Sequence, residues 1–95
     1  MTRPRDAGAA TRREAMQGAI IFGAAQRTRI LAALLDAHDG LTADDLEVRL
    51  SMSGNSVRPR LRELEAARQV TRTARTRRTR SGSLALVWVA GEVTP

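Results

Sequence analysis

Residues 51–64, Ser-Met-Ser-Gly-Asn-Ser-Val-Arg-Pro-Arg-Leu-Arg-Glu-Leu, gather the side chains of this chain best suited to hold an anion or read a polar edge. Arginine presents a planar fork of N–H donors that matches phosphate or the guanine edge. Asparagine matches adenine, and serine hydroxyls reach phosphate oxygens. The spacing of the aliphatics decides how these groups are presented. Val57, Leu61 and Leu64 follow the i, i+4, i+7 pattern of one helical stripe. That stripe turns Asn55, Pro59 and Arg62 to the far side, with Ser56 and Arg58 flanking them. A helix so patterned anchors by one face and offers donors with the other. Its candidate contact residues are Ser53, Asn55, Ser56, Arg58, Pro59, Arg60 and Arg62.

A second basic set follows, comprising Arg72, Arg75, Arg77, Arg78 and Arg80. The chain has 95 residues and a formal net charge of +6, and all sixteen basic residues are arginine. Exclusive use of arginine also follows from a GC-rich genome, because its codons are GC-rich, but codon bias does not decide where charge sits. Residues 53–80 hold nine arginines against two glutamates, whereas residues 27–52 hold three arginines against five acids. Charge gathered on one helix and the segment after it is the footprint of a polyanion partner.

Other classes are disfavoured. The chain has no Cys, Tyr or Lys and a single His, and its acids sit mainly on the helix around residues 43–50 without a partnered base, so catalysis is not expected. No phosphate-cradling glycine loop is present, and no cofactor or metal site is expected. His38 reads as a helix-end residue, where the helix dipole favours a cation. No apolar run approaches the roughly 20 residues of a membrane span, and the N-terminus lacks the apolar core of a secretory signal, so the expectation is a cytoplasmic protein without membrane contact. A single small domain of this length is marginally stable, and a homodimer is expected.

The elements that must position these side chains can be taken in order. Residues 1–10 carry no apolar period and read as a disordered basic arm, idle or reaching a neighbouring groove. Residues 11–25 suit a helix capped by Thr11 with Glu14 three residues on, weakened by Gly18 and Gly23. Its Met16, Ile20 and Phe22 either make a dimer contact or pack on their own domain. Residues 26–38 form the first strong helix, with Ile30, Leu31, Leu34 and Leu35 on its apolar stripe, and Asp39-Gly40 stops it. Leu41 enters the core and Thr42 caps a helix over 43–50 with Asp45 at the third position. Ser51-Met52-Ser53-Gly54 is a tight break before the helix of the opening paragraph. Pro59 removes a backbone hydrogen bond from that helix, which is expected to begin near Gly54 with an irregular first turn. Val70–Thr73 and 84–89 alternate in the β manner, and the polar stretch 74–83 joins them as an arginine-rich hairpin tip. Trp88 packs on the helices or at an interface. Residues 91–95 are a tail. The fold class is therefore α+β, mainly α, with one domain over 26–90.

Three helices followed by such a hairpin resemble the winged helix-turn-helix domains. The stretches that carry the resemblance are Gly-Leu-Thr-Ala-Asp-Asp-Leu at 40–46, Leu-Ser-Met-Ser-Gly-Asn-Ser-Val-Arg-Pro-Arg-Leu-Arg-Glu-Leu at 50–64 and Thr-Arg-Ser-Gly-Ser-Leu-Ala-Leu-Val-Trp at 79–88. They look like the small winged-helix proteins of actinobacteria and their phages, similar in shape to the MarR and ArsR repressor groups. The resemblance implies a three-helix core with a β-hairpin wing, here with an extra N-terminal helix. It also implies that residues 53–67 are a recognition helix for the major groove and that 74–83 is the wing against the backbone or minor groove. Two departures stand out: Arg68 occupies the position where the family usually ends this helix with glycine, and Pro59 falls where many relatives place a polar contact residue. The implied function is sequence-specific binding of double-stranded DNA as a transcriptional regulator, with a phage origin among the expectations. The alternatives are an interaction module for an acidic protein, such as a host factor, and an architectural factor in phage recombination or replication. With six phosphates neutralised, log affinity would fall with log salt at a slope of about −5.

Overall fold

Thr42 sets the start of the central helix. Its hydroxyl accepts from the Asp45 N–H at 3.0 Å, and the Asp45 carboxylate accepts from the Thr42 N–H at 3.0 Å, so two otherwise orphaned donors are satisfied reciprocally. The computed structural model describes residues 22–92. Within them α1 covers 22–36, α2 covers Ala43–Leu50 and α3 covers Gly54–Ala66. The strands β1, Val70–Arg78, and β2, Leu84–Ala90, pair antiparallel. The arm expected over 1–10, most of the helix expected over 11–25 and residues 93–95 lie outside the described residues.

The helix expected from residue 26 is already regular at Phe22, so within the described residues the end of the 11–25 segment and the 26–38 segment form one helix. Ala24 and Ala25 are strong helix formers, and Gly23 is buried beneath the Arg60 side chain, where a Cβ would overlap the guanidinium. At its other end α1 stops at residue 36, earlier than expected, which leaves His38 in the following turn instead of the last helical one. The reason lies in Gly40, whose φ of +84° belongs to the left-handed region and ends the helix with a Gly40 N–H to Ala37 carbonyl bond of 2.8 Å.

Gly40 delivers Leu41 to the sheet. The Leu41 N–H donates to the Trp88 carbonyl at 2.9 Å and the Trp88 N–H donates to the Leu41 carbonyl at 2.8 Å, so a one-residue bridge sits beside β2 on the side away from β1. Behind this bridge Ile30, Leu34, Leu46, Val57, Leu61, Leu64, Val70 and Trp88 form one core drawn from all three helices and the hairpin. The expected stripe on α3 is buried as expected. Leu35 is not: it is 59 % exposed, because with α1 fixed through Ile30 and Leu34 its position turns outward.

α3 begins at Gly54 and continues through Pro59. The Ser53 carbonyl accepts from both Ser56 and Val57, at 3.0 and 2.9 Å, which tightens the first turn. The far end is closed by a left-handed Arg68 (φ +61°), with Gln69 donating to Leu64 and Arg68 to Glu65, both at 2.9 Å.

The strands run further than alternation in the sequence suggested. Residues 74–78, expected in the hairpin tip, belong to β1, and only residues 79–83 turn, around Gly82 at φ +88°. Alternating Thr and Arg suits a half-exposed strand because branched Thr and the long arginine stem both cover sheet surface. An irregularity separates the Arg72–Trp88 pair from the Thr76–Leu86 pair. There the Thr73 hydroxyl donates to the Val87 carbonyl at 2.7 Å and accepts from the Arg75 N–H at 3.1 Å, replacing ladder bonds lost in the bulge.

Two backbone positions yield predictions. A Cβ on Gly40 would lie 2.5 Å from both the Trp88 carbonyl oxygen and Val87 Cγ1, in a backbone conformation that L side chains avoid. Gly40→Ala is expected to lower the unfolding free energy by roughly 2–4 kcal/mol, measured by denaturant titration. Arg68→Gly is expected to act in the opposite direction, by about 0.5–1 kcal/mol, because it relieves a left-handed non-glycine. The Arg68–Glu92 pair it removes spans 3.6 Å between two well-exposed side chains and adds little.

Candidate nucleic-acid interface

The outward face of α3 carries Asn55, Arg58 and Arg62, all exposed. Ser53 is also exposed, and its hydroxyl points to that of Ser56 at 3.3 Å. Ser56 and Pro59 are half-buried at the edge of this face. Pro59 has no N–H to give the Asn55 carbonyl one turn back, so the ladder of hydrogen bonds is interrupted on the helix that carries the donors. Arg60 is placed differently. It turns towards α1, lies over Gly23 and pairs with Glu63 at 3.3 Å, while Glu63 also takes Arg27 at 2.7 Å. Arg60 thus joins α3 to α1 and stands apart from Arg58 and Arg62.

A groove separates α3 from the hairpin. Arg58, Leu61 and Arg62 line it from the helix, Arg72, Leu86 and Trp88 from the strands, and Ala43 from the start of α2. Arg72 stacks over the Trp88 ring, 4.8 Å from its centroid, and pairs with Glu65 at 3.0 Å. Trp88 is only 8 % exposed, which makes it a core residue with a cation on its upper face.

Most of the hairpin arginines are held by the helical body. Arg77 reaches Asp45 at 2.8 Å and the Gly40 carbonyl at 3.3 Å, and Arg75 donates to the Asp39 carbonyl at 3.1 Å. Arg80 makes the densest set: its side chain meets Asp44 at 2.7 Å and Glu47 at 3.3 Å, and its backbone N–H donates to Asp44 at 3.0 Å. Arg78 folds back on the Gly82 carbonyl at 2.6 Å. Among the described residues, Arg58 and Arg62 have no such partner. Acids and arginines that the sequence separates by more than thirty positions thus cancel locally, and much of the positive charge assigned to the hairpin is internally matched. The signal that could have found this pairing is the Asp44, Asp45, Glu47 cluster, placed on one short helix just before the basic segment.

The ion pairs leave their mark on the carboxylates. A side-chain hydrogen bond from Arg80, joined by its backbone N–H, holds Asp44 below the ordinary carboxylate range, and the same contact raises Arg80. For Asp45, burial pushes the carboxyl up, but the Thr42 N–H and the Arg77 guanidinium together outweigh it, so the net direction is down. Compared with known proteins, the chain matches no family model, no curated protein and no solved structure. No helix among the described residues is long and apolar enough to cross a membrane.

Carboxylates whose folded pKa lies below the unfolded value contribute stability above the unfolded pKa and lose it as the pH falls through the folded one. Thermal unfolding of the wild type is therefore expected to be flat near neutrality and to fall below about pH 4. The D44N/D45N variant should start lower at neutral pH and vary less across that acid range; an unaltered acid limb would remove these two groups as its cause.

Proposed function

We propose that this chain is a winged helix-turn-helix protein that binds double-stranded DNA in a sequence-specific manner and acts as a transcriptional regulator. The observation that carries the reading is the contrast among the arginines: Arg58 and Arg62 stand exposed and unpartnered among the described residues on the outer face of α3, while the hairpin arginines have partners in the protein. The element order supports it as well, since a single strand residue, Leu41, pairs beside the hairpin between the first two helices.

On this reading α3 enters the major groove, Arg58 and Arg62 contact bases or phosphates, and Asn55 with Ser53 adds shorter-range donors. Arg60, bound to Glu63 beneath α1, fixes the angle of α3. Arg75, Arg77 and Arg80 fix the hairpin, so they contribute less counterion release than their number suggests. Two copies would meet successive half-sites, one helical turn apart.

The test is binding to random-sequence and genomic duplex pools at several salt concentrations, with the bound DNA sequenced. An enriched palindromic motif with salt-dependent affinity is the expected outcome. Arg62→Ala is expected to cost on the order of 1–3 kcal/mol on the enriched motif and less on random DNA. Equal losses on both would take Arg62 out of base reading, and no binding at low salt would turn the search to an acidic protein partner.

A further inference from the structure

Among the described residues, Asp44, Asp45, Glu47, Glu63, Glu65 and Glu92 each meet an arginine, and the carboxylates of Asp36 and Asp39 do not. Both are exposed and sit where α1 ends, at the negative end of the helix dipole, the least favourable place for a carboxylate. Arg75 comes close, but its guanidinium donates to the Asp39 backbone carbonyl. Beside these acids Leu34, Leu35, Ala37, His38, Val89 and Ala90 line a groove of about 200 Å³, and Leu35 is the leucine left 59 % exposed. The outward side of α1 leads up to this groove. Ala25, Thr28, Ala32 and Leu35 are all exposed and follow one helical stripe, and Thr28 turns its hydroxyl back to the Ala24 carbonyl at 3.0 Å, which satisfies that donor. α1 therefore ends in unmatched negative charge around a groove, at the end of a stripe on which no described residue packs.

We propose that this end of α1 receives the N-terminal segment, residues 1–21, of a second copy of the chain. Residues 1–13 hold four arginines against one aspartate, and Met16, Ile20 and Ile21 follow. These are basic groups for Asp36 and Asp39 and apolar ones for the groove and the stripe. Chain direction selects the second copy over the chain's own segment. The segment joins α1 at Phe22, roughly 20 Å from Leu35 at the helical rise, so in its own copy it would have to turn back along the whole helix. Where two α1 helices run antiparallel, the segment that precedes one helix comes to the end of the other, and a two-fold axis satisfies both ends at once. Phe22, 64 % exposed at the start of α1, is carried to the same place. Area points the same way. The outward side of α1 measures roughly 22 by 10 Å, about a quarter of the ~800 Å² that each partner buries in a stable interface, so the helices need the preceding segments as well. The contact does not depend on the duplex reading; on that reading it joins the two copies that meet the half-sites.

The experiment is sedimentation equilibrium of the full chain, without nucleic acid, over a range of protein and salt concentrations. The wild type is expected to form a dimer that weakens as salt rises. D36R/D39R and R12D/R13D are each expected to raise the dimer dissociation constant about tenfold or more, and the chain carrying all four substitutions to return to within a few-fold of the wild type. Leu35→Ala should keep the thermal transition, because Leu35 is exposed, and is expected to weaken the dimer by a smaller factor. A wild type that stays monomeric up to its solubility limit overturns the proposal, as does a dimer indifferent to both charge reversals or one that the combined variant fails to restore. Reversals that alter thermal stability without altering the sedimenting mass assign the segment to its own domain and overturn it too. None of these outcomes bears on duplex binding, which is measured separately.

Discussion

Two backbone hydrogen bonds between Leu41 and Trp88 join the helical body to the hairpin, and most of the remaining geometry depends on them. They require the chain to pass so close to β2 that residue 40 has no room for a side chain. Once the bridge is made, Trp88 is drawn into the core between the helices and the sheet, and its ring becomes a platform for Arg72. The Gly40 carbonyl, held at the same crossing, becomes an acceptor for Arg77. A steric requirement at one glycine thus propagates to the location of two arginines.

The electrostatics of the protein are organised by distance in space and not by distance along the chain. α2 presents Asp44, Asp45 and Glu47 to the hairpin, and the hairpin answers with Arg77 and Arg80. Exposed pairs of this sort contribute little individually, but several of them together restrict where the hairpin end can sit. The result is a division of labour among chemically identical side chains. Arg60, Arg77 and Arg80 hold elements together, and Arg58 and Arg62 face outward.

Hydrophobic periodicity made much of this legible. The Val57, Leu61, Leu64 stripe, the Thr42–Asp45 cap and the hairpin itself follow from local rules that act within a few residues. Arg68 stands where the resemblance implies glycine, which leaves open whether the turn keeps its geometry; it does adopt the left-handed conformation, at φ +61°. What local rules do not encode is the choice of partner. Nothing in the spacing of arginines tells which ones meet an acid thirty residues earlier, and nothing in the apolar stripe of α1 tells that Leu35 would be turned away from the core. The full extent of β1 lies beyond local rules for a related reason: a polar, basic segment has the composition of a loop and becomes strand only because β2 is there to pair it.

The hairpin is fastened at both ends. At its base Gly91 donates to the Gln69 carbonyl at 2.7 Å and the Thr71 hydroxyl donates to the Gly91 carbonyl at 2.6 Å; near its turn Arg80 is strapped to α2. The base bonds hold the two strand ends together and the Arg80 contacts favour one position of the turn against α2. The separation between the outer face of α3 and the hairpin end is therefore biased by the folded chain itself, like the preset opening of a caliper, and a partner of that width is the one the groove favours.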